Sequence, residues 1–157
     1  MGPVHLGNVP SDKSMSDVTS LPVRHLFTLE GSVAGTAPNI IPGPNGVRAV
    51  VAVTNGTFKG ERLEGTVAPT VGGDFALFRP DGSLRIDVRL VLITNDGATI
   101  YMTYNGVAVP DANGGLQLKT APTFEAGGDY AWLNNVQAIG IGHSDRAALH
   151  YDIYELT

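Results

Sequence analysis

Charged residues alternate with apolar ones along a short segment of the chain, Leu84-Arg85-Ile86-Asp87-Val88-Arg89-Leu90-Val91-Leu92. Leu84, Ile86, Val88, Leu90 and Leu92 make an unbroken apolar face. On the other side, Arg85, Asp87 and Arg89 lead into Val91 and Ile93. Period-two alternation of this kind describes one pleated strand with two chemically different faces. A charged face is ordinarily the solvated one. This one ends in apolar residues, which favours reading it as the inner wall of a half-polar cavity. Asp87 and Arg89 would then stand about 7 Å apart along the strand and grip one substrate from adjacent points. Desolvation raises the pKa of such a carboxylate and a nearby guanidinium lowers it. The group is suited to general acid or base work; the alternative is a structural ion pair.

Other candidates gather around this segment. Tyr101 lies on the strand expected to return from it, where its phenol can donate a hydrogen bond to a developing oxyanion. An Arg85–Tyr101 cross-strand pair is expected. Glu125 follows Phe124 in a further short strand, and Trp132 and Asn134 offer an aromatic wall and an amide if they share an inward face. Arg48, Tyr104 and Tyr151 are additional candidates for substrate contact in the same cavity. His25, His143 and His150 are far apart and form no metal-binding spacing, so no metal is expected. A His25/His150 pair between the first and last strands is conceivable and is read as structural. Gly140-Ile141-Gly142 completes no nucleotide fingerprint, and no G-x-S-x-G elbow occurs.

The elements that must position these groups are short strands. The chain has 157 residues, 43% of them hydrophobic and only 16% charged, with 20 glycines and 10 prolines. That suits one turn-rich β domain, placed at 21–157, behind an N-terminal extension (1–20) read in part as a leader. A net charge of −5 and the lack of a basic stripe argue against nucleic acid. Cysteine is absent, so no thiolate or disulfide chemistry is available. No apolar run has the roughly 20 residues of a membrane span. The expected setting is cytoplasmic.

Turn signals divide the chain into strands. Val23 to Val33 opens it, an irregular connection spans Pro38 to Gly46, and Val47 to Val53 stops at a hairpin signal, Asn55-Gly56. Val71-Gly72-Gly73-Asp74 and Pro80-Asp81-Gly82 read as turns, and Asn95-Asp96-Gly97 as the hairpin after Ile93. The glycine-rich stretch Asn105 to Leu118 reads as a loop closing one end of the barrel. Strands are expected at Thr120–Glu125, Tyr130–Ile141 and Ala147–Leu156, and no helix is expected. The result is an all-β chain, a closed antiparallel barrel of about eight to ten strands, in preference to a sandwich. Small closed barrels can hold one small ligand, as lipocalins do.

Several phrases fall in a familiar order. They are Gly56-Thr57-Phe58-Lys59-Gly60, Gly72-Gly73-Asp74-Phe75, Arg79-Pro80-Asp81-Gly82 with Asp87-Val88-Arg89, and Thr94-Asn95-Asp96-Gly97. Pro122-Thr123-Phe124-Glu125, Tyr130-Ala131-Trp132-Leu133-Asn134 and Tyr151-Asp152-Ile153-Tyr154-Glu155 complete the series. From about Leu21 to Glu155 the chain resembles domain-of-unknown-function family 3237, small bacterial and fungal barrels similar to allene oxide cyclase. The resemblance implies that fold and a theme of cofactor-free cyclisation or isomerisation on small natural-product substrates. The expected activity is therefore a cofactor-independent cyclase, isomerase or lyase of secondary metabolism acting on a small, largely apolar oxygenated molecule. Asp87 or Glu125 would transfer the proton, with Arg89, Tyr101 and Asn134 holding oxygen atoms and Trp132 shaping the substrate. The alternatives are a non-catalytic barrel that binds a small hydrophobic ligand and a filled structural domain. A homodimer is compatible with either.

Overall fold

The computed structural model describes residues 20–33 and 39–157. All but one residue of the expected extension lies outside the described residues. Ten strands follow: β1 (Val23–Val33), β2 (Asn39–Gly43), β3 (Gly46–Lys59), β4 (Glu64–Val67), β5 (Gly73–Phe78), β6 (Leu84–Thr94), β7 (Thr99–Pro110), β8 (Leu116–Ala126), β9 (Ala138–Ser144) and β10 (Ala148–Leu156). A 3₁₀ helix, Gly128–Asn135, stands between β8 and β9. The chain is all-β, as its alternation predicts.

The strands close on themselves. Pairing runs β1-β10-β9-β8-β7-β6, and β4 and β5 both bridge β6 to β3, which returns to β1. β4 meets β3 at Thr57–Lys59 and β5 meets it at Val47–Ala52, so the two short strands share one place in an eight-strand antiparallel barrel. β2 pairs with β3 beyond the reach of β1. Closure leaves few free edges, the main liability of a sheet.

Three local readings of the sequence are corrected. Asn55-Gly56 makes no turn: β3 runs through it, because Gly56 lies opposite Gly31 and a Cβ there would come within 2.9 Å of the Glu30 carbonyl oxygen. Close approach of two backbones, not a hairpin, requires that glycine. Residues 39–43 of the expected irregular connection form β2. Asn105 to Leu118 is not a lid: β7 continues to Pro110, and a tight turn leads into β8 at Leu116. Pro80-Asp81-Gly82 and Asn95-Asp96-Gly97 do turn the chain, with Gly82 at φ +84 and Gly97 at φ +88.

The interior is unequal from end to end. One half is solid: Phe27 lies edge-on to Phe58 and Phe124, with centroids 5.5 and 6.0 Å away. A register shift between His25 and Phe27 turns both Leu26 and Phe27 into the core. The 3₁₀ helix packs at this end through Leu133, which is fully buried. Its Tyr130 hydroxyl donates to Asp96 in the β6–β7 turn at 3.0 Å. Buried Glu155 accepts from Arg24 Nε at 2.6 Å and pairs with Arg62 at 2.8 Å, and the Arg62 guanidinium lies 4.1 Å from the Trp132 ring centroid. The other half of the barrel is hollow.

Candidate functional site

The hollow half is a cavity of about 310 Å³ walled by apolar side chains of β3, β5, β6, β7, β8 and β10. That is near the lower bound of the roughly 300–1,000 Å³ typical of small-molecule sites. Val53, Ile86, Val88, Ala108 and Leu118 are among the apolar side chains of its wall. Polar groups enter the wall chiefly through Asp74, Tyr104 and Tyr151, with Ser144 and Arg146 at the β9–β10 end. A groove of about 570 Å³ on the outer surface, between β1, β3 and β4, is larger but open. It gathers no comparable set of ionisable groups, so the interior cavity is the better site.

Asp74 reaches the cavity because Gly72 and Gly73 do not turn the chain. They thread it between two neighbours: a Cβ on Gly72 would come within 2.1 Å of the Arg89 carbonyl oxygen, and one on Gly73 within 2.6 Å of that of Val51. β5 therefore starts at Gly73, and Asp74, Ala76 and Phe78 line the cavity. Between β5 and β6 the register pairs Asp74 with Val88 and Leu77 with Arg85, leaving Phe75 and Ala76 without partners in β6. Into that gap Asp74 Oδ1 accepts the backbone N–H of Asp87 at 3.0 Å. That is the one hydrogen bond of the Asp74 carboxyl among the described residues, and it leaves Oδ2 unengaged. Burial pushes the Asp74 carboxyl up to about 6; the Asp87 N–H opposes the shift, the Asp87 charge adds to it and Arg48 reduces it. In this setting Asp74 exchanges its proton near neutrality.

Tyr104 and Tyr151 stand edge to face beside it, 5.6 Å between ring centroids. An inward glycine of β9 makes room: a Cβ on Gly142 would lie 2.7 Å from the Tyr151 ring. Burial raises both phenols above their ordinary pKa, so each is a neutral hydroxyl at physiological pH. Neither hydroxyl makes a side-chain or backbone hydrogen bond among the described residues. Most buried polar atoms are paired. The fully buried side-chain atom described without a partner is Thr120 Oγ1, while one Asp74 oxygen and the two phenols face the cavity.

The structure relocates most of the residues expected from sequence. β6 places Leu84, Ile86, Val88, Leu90 and Leu92 inside and Arg85, Asp87 and Arg89 outside, which corrects the inward-face reading. Val91 and Ile93 on the outer face are half-buried, so their apolar character never required a cavity. Asp87 and Arg89 pair with each other at 3.1 Å in solvent, and Arg89 lies 5.6 Å over the Phe75 ring. Tyr101 and Glu125 are cross-strand neighbours on the outer surface of β7 and β8. The expected Arg85–Tyr101 pair does not form: Arg85 faces Val107 and Tyr101 faces Val91.

Arg48 is also outside, donating to the Phe75 carbonyl at 2.9 Å. Trp132 and Asn134 sit in the 3₁₀ helix rather than on a strand face. The Asn134 amide is used up on backbone, donating to Ala126 and Ala131 carbonyls at 2.7 and 2.9 Å and accepting from the Ala126 N–H at 3.0 Å. It fastens the helix to β8. Tyr104 and Tyr151 alone of the expected residues line the cavity.

His25, His150 and His143 lie on the outer face of β1, β10 and β9 respectively. His25 and His150 are bridged by Asp152, at 3.7 and 3.5 Å, and the His143 and His150 rings stack at 5.3 Å. No group of three or more possible metal ligands with suitable geometry occurs among the described residues.

Sequence reasoning passed over Asp74 because Val71-Gly72-Gly73-Asp74 carries the composition of a turn. The available signal was the alternation Asp74-Phe75-Ala76-Leu77-Phe78, which puts Asp74 in phase with Ala76. Asp87 keeps an indirect part, since its charge acts on Asp74 through the wall. The Asp87→Asn variant retains the N–H but loses the charge. It is expected to move the Asp74 titration downward by a fraction of a unit, read from the side-chain carboxyl signal by NMR. An unmoved titration refutes the coupling.

The model of a family described as protein of unknown function, DUF3237, matches residues 21–156. A UPF0311 protein of Rhodopseudomonas palustris is 26% identical over 153 residues, covering 87% of this chain and 97% of its own. A β-barrel-like protein of Acinetobacter baumannii superposes with a TM-score of 0.74 at 28% identity, covering 87% of this chain and 97% of that one. The hydroalkoxylation enzyme phnH of Penicillium herquei is 33% identical over 96 residues, covering 60% of this chain and 56% of its own. The crystal structure of an enzyme from the same fungus has a TM-score of 0.66 at 25% identity, covering 88% of this chain and 96% of that one. No described helix is long and apolar enough to cross a membrane.

Proposed function

This chain belongs to the DUF3237 family, and from that premise we propose that its barrel catalyses a proton-transfer reaction, most simply a ring closure, on a small, largely apolar oxygenated molecule. Asp74 is the general acid and base, and Tyr104 and Tyr151 hydrogen-bond the oxygen atoms of the substrate. One observation carries this reading: the free oxygen of the Asp74 carboxyl and the hydroxyls of Tyr104 and Tyr151 converge on a largely apolar cavity. The relative named a hydroalkoxylation enzyme favours the addition of an alcohol across a carbon–carbon double bond. Such an addition balances without an oxidant or reductant. The acid form of Asp74 delivers a proton to the alkene carbon, the hydroxyl oxygen bonds the neighbouring carbon, and the carboxylate takes the hydroxyl proton. The enzyme ends as it began.

A cavity this small also holds the nucleophile and alkene in a restricted set of conformations. That lowers the entropic part of the barrier. Tyr104 and Tyr151 carry over from the sequence-based expectations as substrate-binding groups, while the proton-transfer role assigned to Asp87 or Glu125 moves to Asp74. The test is a pH–rate profile measured on small phenols carrying an alkene within ring-forming reach of the hydroxyl. kcat/KM is expected to bend near pH 6, where Asp74 titrates. A profile flat from pH 5 to 7.5 refutes Asp74 as the titrating group. Tight binding without turnover of any such phenol favours a carrier instead.

A further inference from the structure

Every charged group lining the cavity is accounted for by proton transfer except Arg146. It belongs to the three-residue turn between β9 and β10, at the end of the barrel where the β5–β6 and β7–β8 turns also lie. Its backbone adopts φ +80, the left-handed region that residues with a Cβ seldom enter. Thr70 is the other non-glycine residue described with a positive φ. A glycine would meet that backbone requirement without strain. Strain of this kind is often kept where it aims a side chain.

The aim is defined. Arg146 N–H donates to Ser144 Oγ at 2.9 Å, and Arg146 Nε donates to the Gly114 carbonyl in the β7–β8 turn at 3.3 Å. The guanidinium is thus held between two turns at the mouth, with its terminal nitrogens free of protein acceptors among the described residues. Among the described residues Arg24, Arg62 and Arg89 each pair with a carboxylate, whereas Arg48, Arg79, Arg85 and Arg146 do not, and of these four only Arg146 lines the cavity. The carboxylates of the two turns it joins are each turned to their own backbone through one oxygen: Asp145 Oδ1 accepts the Ala147 and Ala148 N–H groups, and Asp111 Oδ1 accepts those of Asn113 and Gly115. A tether between turns alone would not call for a charge, since one neutral donor could reach the Gly114 carbonyl.

We infer that Arg146 selects substrates bearing an acidic substituent, ionised at neutral pH, on the end that points out of the barrel. An apolar body then fills the cavity, the reacting oxygen meets Tyr104, Tyr151 and Asp74 inside, and the anion meets the guanidinium at the rim. A charge-assisted contact to a planar guanidinium is directional as well as attractive. It would set the orientation in which the molecule enters. This assignment rests on the reading of the cavity as a substrate site.

Two fluorescent probes test it without any turnover: anilinonaphthalene sulfonate and its sulfonate-free parent, phenyl-naphthylamine. The wild type is expected to bind the sulfonate more tightly than the parent. Arg146→Gln is expected to weaken the sulfonate by about fivefold or more and leave the parent unchanged. Arg146→Gly relieves the backbone, so it folds, and it should give the same loss. Arg146→Lys should recover part of the preference. A sulfonate affinity that changes by less than twofold in both neutral variants overturns the assignment, as does an equal loss for both probes. If the wild type binds neither probe, the cavity is not a ligand site, and the proposed function falls with this inference. If the sulfonate preference follows Arg146 but the pH–rate profile stays flat, only the role of Asp74 is refuted.

Discussion

Replacing Asp74 by asparagine is expected to lower kcat by about 10²–10⁴-fold, the usual contribution of one general acid or base, while raising stability above neutral pH. The two effects share one cause. Asparagine keeps an oxygen for the Asp87 N–H, so the patch across the β5–β6 gap survives, but it has no proton to exchange. The stability sign follows from the raised pKa. Asp74 titrates at about 6 in the folded chain against an ordinary 3.8. Its favourable contribution is whole below about pH 4 and is lost as pH rises through 6. Above pH 7 the wild type therefore carries a buried carboxylate that the variant lacks, a difference of up to about 3 kcal/mol. Urea melts at pH 4 and pH 8 should show the two proteins alike at the lower pH and the variant ahead at the higher. An Asp74→Asn variant that turns over at the wild-type rate removes the catalytic role, and one equally stable at both pH values removes the raised pKa.

The largest loss of stability is expected at Phe27. Its ring is fully buried between Phe58 and Phe124 in the solid half of the barrel. Truncation to alanine deletes buried carbons and leaves a void that rigid strands cannot close, at a cost of about 3–5 kcal/mol. Leu118→Ala in the cavity wall should cost only about 2 kcal/mol, at the low end for its type. One side of that leucine already faces open space, so fewer packing contacts are lost. Denaturant melts of the two variants, with Arg146→Gly as a control, check the contrast. Equal costs at Phe27 and Leu118 would mean the cavity is closed in solution.

How much of this was legible in the sequence depended on the range of the forces involved. The barrel was, because period-two alternation and hairpin turns such as Asn95-Asp96-Gly97 are local. The inner face of β6 was ambiguous because both of its faces hold apolar residues; only closure of the ring decides which one is enclosed. Asn55-Gly56 and Gly72-Gly73 misled for a single reason. Glycine serves turns and close backbone contacts alike, and a contact with a distant strand leaves no trace in the neighbouring residues. Asp74 was lost with the second of these. Tyr104 and Tyr151 could be picked as chemistry-bearing residues, but their mutual distance depends on pairing between strands far apart in the chain. The 3₁₀ helix escaped because eight residues with no amphipathic stripe give no periodic signal.

The division of the barrel into a solid half and a hollow one has an evolutionary consequence. Residues that hold the fold together and residues that choose the ligand are largely different residues. Substitutions around the mouth and wall can accumulate at small cost in folding free energy, so selection can try new substrates there without first finding compensating changes. The aromatic cluster around Phe27 has no such freedom. Among descendants of such a barrel, the hollow end should diverge quickly in side-chain identity while the solid end changes slowly, and a shared architecture would accompany many different ligands.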